Sequence, residues 1–122
     1  MRGGPELLTL LDALVRIPSV NPSLAPEEAT GEGAIAEYIR DWLVERGVPA
    51  VLDDVAPGRP NVVGTVGRAG GAGGGPGKVL VLCAHIDTVG TAGMSIPPFE
   101  PRREGDRLYG RGSFDMKGAW PR

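Results

Sequence analysis

Apolar positions recur at spacings of three, four and seven from Glu6 to Ile17, where Leu7, Leu8, Leu10, Leu11, Leu14 and Val15 make a broad stripe on one helical face. Pro5 suits the first turn of such a helix and Pro18 stops it. The next stretch, "PSVNPSLAPEE", is too rich in proline to be regular. A second helix is predicted from about Thr30 to Arg46, with Ile35, Ile39, Trp42 and Leu43 facing inward and Gly47 closing it.

The pattern then changes to that of strands, predicted at Val48 to Asp53, Asn61 to Val66 and Lys78 to Ala84. The second is short and interrupted by Gly64. The third differs in kind, because Val79, Leu80, Val81, Leu82, Cys83 and Ala84 are continuously apolar, which suits an interior strand covered on both faces. Helices ahead of such a strand imply an α/β layer structure, a mixed sheet with flanking helices. Residues 67 to 77, "GRAGGAGGGPG", read as an exposed, poorly ordered connector. Gly90 to Pro101 is irregular, Arg107 to Tyr109 reads as a short strand, and a glycine-punctuated turn leads to a helix expected near Met116. Asp115 sits at that junction, where a carboxylate either caps the helix or serves a site.

Composition narrows the picture. A chain of 122 residues with 41% hydrophobic and 23% charged residues is the size of one globular domain. Its net charge of -2 gives no basic surface for nucleic acid. No apolar stretch approaches the roughly 18 to 20 residues that span a bilayer, and the N-terminus lacks the apolar region of a signal peptide, so no membrane partner and a cytoplasmic location are expected. The single cysteine, Cys83, has no internal disulfide partner and reads as a small buried hydrophobe. The segment ending in Gly77-Lys78 is not a phosphate loop: Ala72 stands where the first glycine belongs, Val79 stands where a Ser or Thr belongs, and it precedes a strand.

The chemistry concentrates where the apolar run ends. In an extended chain residues i and i+2 point to one side, so His85 and Asp87 project together beyond the strand's C-terminal end, where open α/β sheets place their ligands. A carboxylate beside an imidazole fixes the ring tautomer and raises the basicity of the other nitrogen, the usual support of a metal-bound histidine. Asp115 is a second candidate ligand from another loop. Imidazole and carboxylate donors suit zinc, cobalt or manganese, but two ligands do not complete a catalytic site, and the chain has no second histidine.

"AHIDTV" at 84 to 89, followed by "PPFEP" and "DRLYGRGSFDMKGA" within 97 to 119, resembles the N-terminal part of the M20 metallopeptidases, the group that contains acetylornithine deacetylase and succinyl-diaminopimelate desuccinylase. "IPSVNP" at 17 to 22 is similar to the family's start, so the resemblance runs from about residue 6 to 119. It implies a layered α/β/α catalytic domain of the zinc-exopeptidase type, of which residues 1 to 122 are a truncated N-terminal part without the dimerisation domain. It also implies that His85 and Asp115 are metal ligands, Asp115 bridging two ions, and that Asp87 is the catalytic-site carboxylate orienting His85. The implied cofactor is a pair of zinc ions, with cobalt as a substitute. A cis peptide is implied after Asp115. The implied reaction is hydrolysis of an amide bond in an N-acyl amino acid or small peptide, in a parent protein that is often a homodimer. The family's Glu-Glu pair and late histidine have no counterpart here, and after "DMKGA" the chain reads Trp120-Pro121-Arg122 where a long helix is expected. The chain alone is therefore expected to be inactive, and the alternative is a non-catalytic α/β piece with weak or no metal binding.

Overall fold

Leu10, Leu14 and Val15 are buried on one side of α1, Gly4–Arg16, while Leu7 and Leu8 on its first turn remain exposed. A computed structural model describes residues 4–67 and 77–119 of the chain. The helix α2, Gly33–Glu45, supplies Ile35, Ala36 and Ile39 from the matching face. Leu10 and Leu14 meet Ile35 and Ile39 in one apolar cluster, with Trp42, Leu43, Val62 and Ile86 packed on its margin. Both helices lie where the hydrophobic periodicity puts them, with ends shifted by one to three residues.

Gly47 ends α2 through a specific backbone arrangement. Its φ is +77°, its N–H donates to the Val44 carbonyl at 2.9 Å, and the Val48 N–H donates to the Leu43 carbonyl at 3.0 Å. This is the Schellman pattern, in which the left-handed residue satisfies carbonyls that have no partner inside the helix. The chain then forms an antiparallel hairpin of β1, Ala50–Ala56, and β2, Arg59–Gly64, with Val51 opposite Val63 and Leu52 opposite Val62. The helix α2 packs against this hairpin. A second antiparallel hairpin joins β3, Arg102–Glu104, to β4, Arg107–Tyr109. The strand at 107 to 109 is as read from the sequence, whereas its partner β3 lies just past the stretch read as irregular and was not expected.

The reading of Lys78 to Ala84 as an interior strand does not hold. The segment forms no strand, and Val79, Leu80, Val81 and Leu82 are 85, 83, 77 and 77% exposed. Cys83, expected to be buried, is exposed as well. A continuous apolar run reports what environment a segment suits; whether strands stand on either side of it is set by the rest of the chain. Among the described residues both hairpins pair within themselves, so no ladder partner reaches 78 to 84. The mixed sheet is also absent from the described residues, where both sheets are two-stranded and antiparallel and the parallel element is an isolated bridge between Val20 and Thr88. What stands is a combination of helices and small antiparallel sheets consistent with an α/β class. The helix expected near Met116 is a single 3-10 turn, Lys117–Ala119. The predicted disorder of the glycine-rich connector falls largely on residues 68–76, outside those described.

Candidate functional site

The isolated bridge is what fixes the site. Residues 19 to 21 run alongside 86 to 88: the Thr88 N–H donates to the Ser19 carbonyl and the Asn21 N–H to the Thr88 carbonyl, both at 2.9 Å. The buried Ser19 adds a hydroxyl bond to the Ile86 carbonyl at 2.8 Å. His85 and Asp87 thus leave a backbone pinned to the linker between the helices, while the apolar residues before them are unpaired.

The third residue arrives on the 110 to 119 turn. Gly112, at φ +82°, lies so close to Thr88 that a Cβ there would stand 2.8 Å from Thr88 Cγ2, so this turn can approach 86 to 88 only as glycine. Lys117 then anchors the turn from below. It is 3% exposed, and its Nζ donates to the carbonyls of Leu14, in the last turn of α1, and Ile17, just beyond it, at 2.8 and 3.0 Å. Burial pushes its pKa down to about 8. The Asp115–Met116 peptide is cis, and Met116 Sδ accepts the His85 N–H at 3.3 Å.

His85, Asp87 and Asp115 converge. Nδ1 of His85 lies 3.0 Å from the Asp87 carbonyl oxygen and 3.2 Å from Asp87 Oδ1, and Nε2 lies 3.0 Å from Asp115 Oδ1. Both ring nitrogens therefore face oxygen acceptors, although a neutral imidazole carries one proton only. The second contact requires a cation, either a proton on the ring or a metal ion between Nε2 and the carboxylate. Burial pushes the His85 pKa down, but the Asp115 carboxylate, the Asp87 carbonyl and the charges of both acids outweigh it and raise it above the ordinary histidine value. The Asp115 side chain, 80% exposed, opens the pair to solvent. It does not cap the turn after it, whose Lys117 N–H is taken by the Gly112 carbonyl.

One imidazole nitrogen and one carboxylate oxygen fit part of a zinc or cobalt site. Two atoms each about 2.0 to 2.1 Å from one tetrahedral ion stand roughly 3.4 Å apart, a small opening of the contact seen here. Among the described residues no group of three or more His, Cys, Asp or Glu side chains is arranged to hold an ion, so the pair by itself does not make up the three protein ligands of a catalytic zinc site.

Sequence reasoning missed Asn21, whose side chain donates to Asp87 Oδ2 at 2.7 Å. It also missed Lys117 as an anchor. Neither carries a local signal, since each partner lies 66 or more positions away along the chain.

Residues 81–120 match the family described as Peptidase family M20/M25/M40. The chain is 38% identical over 93% of its length to a putative LysW-lysine/LysW-ornithine hydrolase of Pyrococcus abyssi, covering 26% of that protein. It is 29% identical over 93% of its length to an acetylornithine deacetylase of Vibrio campbellii, covering 29% of it. A succinyl-diaminopimelate desuccinylase of Methylorubrum populi is 33% identical over 92% of the chain, with 27% of that protein covered. The chain thus spans between a quarter and a third of the length of these curated relatives. The described residues include no helix long and apolar enough to cross a membrane. The family match lies across His85, Asp87 and Asp115 and the relatives align along nearly the whole chain, so what the comparisons establish is that the chain is similar to the M20/M25/M40 peptidases.

Proposed function

We propose that this chain is the N-terminal part of the catalytic domain of a metal-dependent amidohydrolase acting on an N-acyl amino acid or small peptide, in the manner the names of its deacetylase and desuccinylase relatives suggest. The observation that carries the reading is the His85–Asp115 contact, an imidazole nitrogen facing a solvent-open carboxylate at 3.0 Å with the other ring nitrogen held by Asp87. His85 Nε2 and Asp115 Oδ1 would hold zinc, or cobalt in its place. When bound, such an ion polarises an amide carbonyl and makes water nucleophilic at neutral pH. Asp87 accepts the hydrogen bond of Nδ1–H and so presents the Nε2 lone pair toward Asp115. In this reading the remaining ligands and the general base belong to the larger share of the relatives' length that the chain does not span, as do further strands that would cover residues 78–84 in a layered zinc-exopeptidase-like domain. A cytoplasmic location goes with it.

The test is hydrolysis of N-acetyl and N-succinyl amino acids by the complete gene product, assayed with and without a chelator. Turnover lost on chelation, restored by zinc or cobalt, and absent in His85→Ala supports the reading. Turnover that survives both chelation and His85→Ala overturns it.

A further inference from the structure

We propose that Asn21 is a positioning residue of this centre: its side-chain amide orients the Asp87 carboxylate and, through it, sets the tautomer of His85. This rests on the metal-hydrolase reading above. Asn21 spends every polar group it has. Its Oδ1 accepts the Ser23 N–H at 2.8 Å, its N–H donates to the Thr88 carbonyl at 2.9 Å, and its carbonyl accepts from Leu24 and Ala25 at 3.1 Å each. With Oδ1 committed to a donor, the amide has one orientation available, and its NH₂ group faces Asp87 Oδ2 at 2.7 Å.

That contact divides the Asp87 carboxylate between two partners. Oδ2 goes to Asn21, which leaves Oδ1 3.2 Å from His85 Nδ1. The terminal torsion of an aspartate is broad, so a carboxylate with one partner rotates easily; with a donor at each oxygen its plane is fixed. A neutral donor is also the appropriate one, because it orients Asp87 without cancelling the charge that draws the proton to Nδ1. The nearby cation, Arg59, feels the field of Asp87 but is engaged at both ends of its fork by Glu32, at 2.6 and 3.2 Å. Which imidazole nitrogen carries the proton follows from the bond the other makes. Here Nδ1 faces two oxygens of Asp87, the carbonyl at 3.0 Å and Oδ1 at 3.2 Å, against one oxygen of Asp115 at Nε2, which favours N–H at Nδ1 and the lone pair at Nε2, toward Asp115.

His85 is the chain's one histidine, so its ring signals in a long-range ¹H–¹⁵N spectrum are unambiguous. Recorded at a pH where the ring is neutral, the unmodified chain is expected to show the Nδ1–H form. Asn21→Asp keeps the Oδ1 acceptor for Ser23 while replacing the donor with an anion, and Asn21→Ala removes both. In each the ring is expected to shift toward the Nε2–H form, and zinc titrated against the same signals is expected to bind about 10- to 100-fold more weakly. An Nε2–H ring in the unmodified chain overturns the proposal without recourse to a variant. So does an Asn21→Asp chain whose tautomer and zinc response match the unmodified one. If zinc leaves the unmodified ring signals unmoved while Asn21→Asp still changes the tautomer, the role of Asn21 in orienting His85 stands, and the metal reading is decided separately by the chelation assay on the complete gene product.

Discussion

Lys117 donates its ammonium to the Leu14 carbonyl at 2.8 Å, tying the turn that carries Asp115 to the end of the first helix. Leu14 is also in the apolar cluster, so one residue joins the core to the turn beneath the candidate site. Lys117→Met keeps most of the buried stem and removes the donors, leaving the Leu14 and Ile17 carbonyls without that partner. A buried acceptor deprived of its bond costs on the order of 1 to 3 kcal/mol. Urea unfolding of Lys117→Met is expected to show a loss of that size at an unchanged slope. A midpoint equal to that of the parent would mean the ammonium anchors nothing.

Glu28 carries a pH dependence whose sign follows from its partners. Its carboxylate accepts the backbone N–H of Thr91, the Thr91 hydroxyl and the Ala92 N–H, and these bonds hold its pKa below the ordinary glutamate value of 4.5. A depressed acid contributes stability that is fully present above the unfolded-state value and is lost as pH falls through the folded-state value. Stability of the parent should therefore decline as pH drops below about 4.5, and Glu28→Gln should flatten that part of the profile. Thermal midpoints measured across pH 3 to 6, about the range in which a carboxylate of this kind titrates, check it. Parallel profiles for the two chains would remove Glu28 from the account.

The helices were legible because their periodicity is a local property: Leu10, Leu14, Ile35 and Ile39 share faces at helical spacing and meet as the pattern implies. His85 and Asp87 were legible for the same reason at a period of two. Asp115 was legible as a carboxylate at a turn-to-helix junction and as a second candidate ligand, but its pairing with His85 was implied only by the resemblance to a family, since nothing in its spacing from His85 says that they meet. The reading of 78 to 84 failed at the step from suitability to surroundings. Asn21 and Lys117 were invisible because their partners, Asp87 and Leu14, are local to them only after the chain has folded.

The exposed apolar run has a consequence in solution. Val79 to Leu82 present β-branched and leucine side chains to water without strand partners among the described residues, and an unpaired apolar backbone of this kind recruits strands from other chains. The purified chain is expected to associate as its concentration rises. Val81→Lys places a charge at a position 77% exposed, so it should leave monomer stability within about 0.5 kcal/mol and suppress association. Sedimentation velocity over a concentration series tests this. A parent that stays monomeric throughout, or a Val81→Lys chain that associates equally well, would assign the run no part in it.

The 122-residue chain by itself is expected to show no appreciable amide hydrolysis, even with zinc or cobalt in excess. The described residues place two donors together, His85 Nε2 and Asp115 Oδ1, whereas a catalytic zinc site of the usual kind has three protein ligands and a position for water. An ion held by two donors is bound weakly and is not fixed in geometry. Proton transfer is a second deficit, because a positioned base contributes about 10²- to 10⁴-fold to such a reaction. Asp87 cannot take that role while its oxygens are occupied by Asn21 and the His85 ring. Asp115 cannot either, since the oxygen facing His85 is the one that would hold the ion. The assay is release of free amino acid from N-acetyl substrates by the purified chain with added metal, with His85→Ala beside it. Robust turnover abolished by that substitution would mean that these residues assemble a complete hydrolytic centre, and that the ligand set read from His85 and Asp115 is missing a member contributed by this chain.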